Sequence, residues 1–190
     1  MSNNKGKKFD VEVLTTNEVD RILRTFPPNN TGLRNRTMIL VMYRTAIRCA
    51  ELTALRPGDI NEAAGTITIV LGKGGKRRVV GADPKVFAEI IEWNKVRPKG
   101  DTLFCTWTGG RMDTSSVRRT VKAAARKAGI SKRVHPHKFR HSSAFHLANS
   151  GVDLRIIQRQ LGHTNIAVTS KYIDHIGDPA LVKTIQTDRW

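Results

Sequence analysis

Apolar residues recur at helical intervals from early in the chain. Val19, Ile22, Leu23 and Phe26 follow a Thr15–Glu18 pair with capping-box spacing, and Pro27-Pro28 stop that first helix near Phe26. The next periodic segment, Gly32 to Thr45, is nearly apolar all round at Met38, Ile39, Leu40, Val41 and Met42, which predicts a central buried helix. A short third helix begins near Cys49 and ends before Pro57-Gly58. The period then changes from helical to alternating. Thr66 to Leu71 alternates Thr with Ile, a glycine-rich turn follows, and Arg77 to Val80 resumes the pattern, so this stretch reads as an antiparallel hairpin. Helical spacing returns at Lys85–Val96, Ser116–Ala128, Pro136–Asn149, Leu154–Leu161, Ile166–His175 and Pro179–Thr187, while Thr102–Thr106 reads as a further strand. The pattern predicts a mainly α domain carrying a small antiparallel β-sheet, an α+β fold.

At 190 residues and 39% hydrophobic content the chain is long enough for one well-filled core, and no repeat or interdomain linker divides it. Its charge is unusual. Lys and Arg total 33 against 16 Asp and Glu, a formal charge of +17, and the simplest reason for that excess is a polyanionic partner. No apolar stretch approaches the roughly 20 residues of a membrane-spanning helix, and no secretory signal opens the chain. Residues 1–12 read as a basic disordered arm. Cys49 and Cys105 are too few and too far apart for a disulfide framework or a CxxC metal knuckle, which fits a reducing cytoplasm.

The cations are concentrated. From Thr114 to Val152 there is no Asp or Glu, while Arg118, Arg119, Lys122, Arg126, Lys127, Lys132, Arg133, Lys138 and Arg140 all lie there. On a helix, Arg118, Lys122 and Arg126 stack along one face and repel one another by roughly 0.2–0.5 kcal/mol per pair, a cost that a phosphate backbone would offset. Lys76, Arg77, Arg118, Arg119, Lys122, Arg126 and Lys138 are the candidate contacts to nucleic acid, DNA or RNA.

Candidate chemistry gathers at predicted helix ends. Pro136 suits a first helical position and puts His137 and Arg140 in the opening turn, on one face. Gly162 ends a later helix, so His163 falls in a tight connection before the helix that carries Tyr172. Arg48 lies between the second and third helices with Glu51 three residues on, able to orient its guanidinium, and Lys73 sits on the hairpin turn. His137 and His141 have the spacing of zinc ligands, but no third ligand stands at a convincing interval, so no metal is expected. The run Gly72-Lys73-Gly74-Gly75-Lys76 lacks the Ser or Thr of a phosphate loop and joins two strands, which argues against nucleotide binding.

Taken together, Arg48 with Glu51-Leu52, Lys73 on a hairpin, Pro136 to His141 (PHKFRH), Leu161 to His163 (LGH) and Tyr172 resemble the catalytic domain of the tyrosine recombinases, the phage-integrase type. The resemblance runs from about Val13 to His175 and implies that family's catalytic-domain fold. It departs from the family pattern at Thr45-Ala46-Ile47-Arg48, where TGLR is usual, and at Ala50, where Ser precedes the Glu.

The resemblance implies a catalytic set of Arg48, Lys73, His137, Arg140, His163 and Tyr172, with Tyr172 attacking a DNA phosphodiester to leave a 3′-phosphotyrosyl link, without metal, ATP or other cofactor. It also implies a catalytic domain at 13–176 and a tail helix at 177–190 exchanged between protomers, with self-association on double-stranded DNA as a tetramer. The match is to short members such as the fimbrial-switch invertases, which lack an amino-terminal core-binding domain, and it implies a bacterial, phage or archaeal cytoplasm. An accessory DNA-binding protein without turnover and a type IB topoisomerase stand as the alternatives. Relaxation of supercoiled plasmid without a specific site would favour the topoisomerase.

Overall fold

The computed structural model describes residues 12–70 and 77–162; Lys73, Lys76, His163, Tyr172 and the two helices expected after Ile166 lie outside them. Helix α1 (Thr16–Arg24) starts at a complete capping box, the Thr15 hydroxyl accepting from the Glu18 amide and the Glu18 carboxylate from the Thr15 amide. Helix α2 (Asn30–Thr45) begins two residues before the predicted start, because the Asn29 side chain caps the Gly32 amide at 2.8 Å. Gly32 has to be glycine here. A Cβ at that position would stand 1.9 Å from the Pro27 carbonyl oxygen.

Helix α3 (Cys49–Leu52) is one turn long, and a 3₁₀ turn at Pro57–Asp59 leads into the sheet. Strands β1 (Ile60–Asn61), β2 (Thr66–Val70) and β3 (Arg77–Gly81) form an antiparallel meander in that order. Its register sets Ile67 opposite Val80 and Ile69 opposite Arg78. Helices α4 (Pro84–Val96), α5 (Thr114–Lys127), α6 (Pro136–Asn149) and α7 (Leu154–Leu161) complete the described chain. The architecture is mainly helical with a small antiparallel sheet, as the periodicity predicts.

One local reading is corrected, and one strand has no counterpart in the sequence reading. The strand expected at Thr102–Thr106 is instead a single antiparallel bridge between Cys105 and Arg111. Its backbone groups go elsewhere: the Leu103 amide donates to the Leu55 carbonyl at 2.6 Å, and the Leu103 carbonyl accepts from the Trp93 indole at 2.8 Å. β1 escapes sequence reading because two residues carry no period.

The main core joins α1 to α6 and the inner face of the sheet around Trp93, Phe104 and Phe139. A second, smaller cluster of Ala46, Ala144, Ile157 and Leu161 lies where α6 and α7 meet the end of α2. The chain entering the domain is strapped to α6. The Leu14 amide donates to the Ser142 hydroxyl at 2.8 Å, the Leu14 carbonyl meets the His146 imidazole at 2.8 Å, and Lys132 reaches the Val13 carbonyl at 2.9 Å.

Candidate active site at the helix ends

Helix α2 terminates at Ala46, whose backbone is left-handed with φ 55° and ψ 24°. A residue with a Cβ disfavours that conformation by about 1–2 kcal/mol, and it falls at the position where the sequence departs from glycine. This turn sends the chain back toward α3 and brings Arg48 to its N-cap, in extended conformation. Ala46 is held from outside. Arg140, on the first turns of α6 and only 3% exposed, donates one Nη to the Ala46 carbonyl at 2.5 Å and the other to the Leu161 carbonyl at 2.6 Å. Both carbonyls belong to helix C-termini, where partial negative charge accumulates and intrahelical donors are lacking.

Arg48 is differently placed. Its amide donates to Glu51 Oε2 at 2.7 Å and its Nη1 to Glu51 Oε1 at 3.1 Å, yet its side chain keeps 38% of its surface exposed. The carboxylate it shares is 5% exposed and is forked by Arg78 from β3, at 2.7 and 2.9 Å. Burial alone would raise the Glu51 carboxyl; hydrogen bonds from Arg78 and from the Arg48 amide, with both guanidinium charges, outweigh it and hold the group below the ordinary carboxylate value.

His137 stands exposed in the opening turn of α6. Partial burial, then the positive charges of Arg140, Arg48 and Arg118, hold its imidazole below the ordinary histidine value, so it is neutral at pH 7. One turn on, burial and the neighbouring cations and imidazoles push His141 down to about 4. The charges of Arg140, Arg48 and Arg118 of α5 therefore all act on His137. Lys73, His163 and Tyr172, the other half of the expected set, fall outside the described residues.

Among the expected DNA contacts, Arg118, Arg119, Lys122 and Arg126 all lie exposed on α5, with Arg119 bonded to the Ser116 hydroxyl at 2.8 Å. Arg77 is exposed and lines a groove of about 560 Å³ with Arg48, Arg56 and Arg111. Lys138 is spent internally: its ammonium donates to the Glu12 carbonyl, pairs with the Glu12 carboxylate at 3.6 Å and keeps 13% of its surface. Among the described residues, no group of three or more His, Cys, Asp and Glu could hold a metal ion, and no helix is long and apolar enough to cross a membrane.

Two residues that sequence reading did not single out complete the frame. Gln160 accepts from the Gly81 amide at 3.0 Å and donates to the Gly81 carbonyl at 2.8 Å and the Thr45 carbonyl at 3.2 Å, stitching α7 to β3 and α2. Arg78 shares the inner face of the hairpin with Ile67, Ile69 and Val80, since paired and alternate strand residues point the same way. The alternation carried that signal: an arginine two residues before a core valine needs an anionic partner.

The chain matches known proteins in sequence and in fold. The model of the phage integrase family matches residues 12–176. The tyrosine recombinase XerC of Actinobacillus pleuropneumoniae is 32% identical over 170 residues, covering 87% of this chain and 54% of the relative. XerC of Xanthomonas campestris is 36% identical over 165 residues, 85% of this chain and 50% of the relative. The chain thus spans about half the length of these curated relatives. Among solved structures, the XerA recombinase superposes with a TM-score of 0.82 at 30% identity, over 94% of this chain and 66% of that one. The Tn1549 transposon integrase, solved with circular intermediate DNA, shares the fold at a TM-score of 0.77 and 19% identity, over 89% of this chain and 63% of that one.

Proposed function

The chain belongs to the phage integrase family, and on that premise we propose that it is a tyrosine recombinase, cutting and rejoining duplex DNA at specific sites through a 3′-phosphotyrosyl intermediate. The observation that carries this reading is Arg140, in the first turns of α6 with His137, bonded to the carbonyls that end α2 and α7, which fixes its charge beside the Ala46–Arg48 turn. Such an arrangement suits a phosphodiester gaining negative charge at pentacoordinate phosphorus.

In this reading the Tyr172 phenolate oxygen attacks phosphorus and the bond to the 5′ oxygen breaks, with Lys73 donating the proton to that leaving group. The neutral imidazole of His137 takes the phenol's proton, and His163 helps hold the phosphate. Arg48, half-buried with 38% of its side chain accessible, grips a non-bridging oxygen. Arg140 contributes a positive charge fixed beforehand by the Ala46 and Leu161 carbonyls. Religation runs the same steps backward from an incoming 5′ hydroxyl, so bond energy is conserved and no nucleotide triphosphate or metal is consumed.

Duplex DNA is the proposed partner, met by the α5 cations and by Arg77 and Lys76, with assembly as a tetramer in the bacterial cytoplasm. The domain limits proposed are 13–176 for the catalytic unit and 177–190 for a tail that docks on a neighbouring protomer. Incubation with fragmented genomic DNA, denaturing capture of the protein and sequencing of the attached strands tests activity and site together. Wild type should yield recurrent junctions with phosphorus on Tyr172, and Tyr172→Phe should bind DNA without an adduct. A denaturation-resistant adduct on that mutant would remove Tyr172 from the role, and binding without any adduct in wild type would leave an accessory DNA-binding protein.

A further inference from the structure

Three guanidinium and carboxylate groups share one small space at the start of α3. Glu51 is nearly inaccessible and has two oxygens to offer; Arg78 takes both, at 2.7 and 2.9 Å, leaving Arg48 one side-chain bond at 3.1 Å. The exposures run in the same order, 12% for Arg78 and 38% for Arg48. Two guanidiniums against one carboxylate leave one positive charge in excess, and the geometry puts it on Arg48, the more exposed of the two.

Arg78 is itself fixed from two sides. Strand pairing with Ile69 sets its backbone, and a Cβ at Gly162, the left-handed cap of α7, would stand 2.7 Å from both its Cδ and its Nε. Its Nε has no hydrogen-bond partner among the described residues, so the fork to Glu51 is what orients the guanidinium. The stem of Arg78 thus packs against the end of α7 while its head holds the acid beside Arg48.

We propose that Arg78 is a positioning residue: by occupying both oxygens of Glu51 it prevents that carboxylate from closing on Arg48, and so keeps the Arg48 charge available to an incoming phosphate. Without Arg78, Glu51 has a single cationic partner and swings both oxygens to it, because a bidentate pair is the stronger geometry. Arg48 would then be neutralised by its own neighbour. The consequence for catalysis rests on Arg48 contacting the scissile phosphate, but the contest for Glu51 can be measured without DNA.

The rate at which phenylglyoxal, an arginine-selective dicarbonyl, modifies Arg48 in the full chain reports how tightly that guanidinium is held; mass spectrometry of the Arg48 peptide reads it. Arg78→Gln should slow Arg48 modification about fivefold or more, as one bond becomes a charge-assisted pair, and Arg78→Gln with Glu51→Gln should restore at least the wild-type rate. A merely structural arginine predicts the opposite sign, since loosening the site exposes Arg48. An unchanged or faster rate in Arg78→Gln, or continued protection in the double variant, overturns the proposal. Should Arg78→Gln not fold, Arg78→Lys carries the same test, because an ammonium covers one oxygen at a time: a rate below wild type supports the contest and one at or above it refutes it. Absence of covalent DNA adducts combined with the expected reactivity pattern would reject the recombinase reading while leaving this one standing.

Discussion

Around Trp93, side chains from six helices and the sheet meet in one continuous apolar body, whereas α7 rests on Ala46, Ala144, Ile157 and Leu161 and on a few polar side chains. Burying Ile157 and Leu161 supplies about 1.5–3 kcal/mol each, against a backbone ordering cost of about 1–2 kcal/mol per residue over the helix. Apolar contact alone does not dock α7. Its attachment depends on Arg140, which holds the Leu161 carbonyl, on Gln160, which pairs with Gly81 and Thr45, and on Gly162 against Arg78. The difference teaches how the site is built: a rigid apolar body supplies the scaffold, and directional polar bonds fix the helix ends where the chemistry is assembled.

Trp93→Ala should give the largest effect on global stability, because it removes a fully buried ring and its hydrogen bond to Leu103. A loss of about 3–5 kcal/mol is expected. Urea unfolding should show it as a lowered midpoint, with amide exchange accelerated in α2, α4 and α7 alike. Arg140→Met tests the other region. Two charge-assisted bonds to carbonyls disappear, each worth about 1.5–3 kcal/mol, but the exchange should quicken on α7 and the end of α2 while α4 keeps its protection. Equal loss of protection in α4 would show that the two regions form one cooperative unit.

How much of this was legible in the sequence follows the same division. The extents of α1 and α2 to within two residues, the hairpin strands and the stripe of α5 cations are readable because caps, alternation and helical spacing are local. Arg48, His137 and Arg140 could be singled out from their motifs. The charge of Lys138 is visible in the sequence, whereas its partner Glu12 lies 126 positions away. Gln160 had no signal at all, its partners Gly81 and Thr45 being 79 and 115 positions removed. Polar clamps of this kind are set by tertiary approach, and a glutamine on a helix looks the same whether it is solvated or pairs with a strand.

Gln160→Ala should cost less than Arg140→Met, about 1–2 kcal/mol, since the lost bonds are neutral and partly replaced by water. The expected signature is faster amide exchange in α7 with an unchanged urea midpoint for the apolar body. Glu51 adds a pH signature. Its folded-state pKa is depressed, so its contribution is fully present above the ordinary value of 4.5 and is lost as pH falls through the folded value. Wild type should therefore weaken on acidification below 4.5. Glu51→Gln, which leaves the Arg78 charge without its acceptor, should be less stable at pH 7 and close that gap as the pH drops. Parallel pH profiles would mean that Glu51 titrates alike in the folded and unfolded states.

Ala46→Gly should change stability least, and the reason lies in opposing terms at one position. Glycine removes the left-handed penalty of about 1–2 kcal/mol. It also gives up a fully buried methyl worth about 0.8 kcal/mol and loses more backbone freedom on folding, about 0.5–1 kcal/mol. The terms nearly cancel, so a urea midpoint close to wild type is expected. A clear stabilisation would mean that Ala46 is strained beyond what the Arg140 bond to its carbonyl offsets, and a clear loss would mean that the small cluster under α7 depends on every methyl it has.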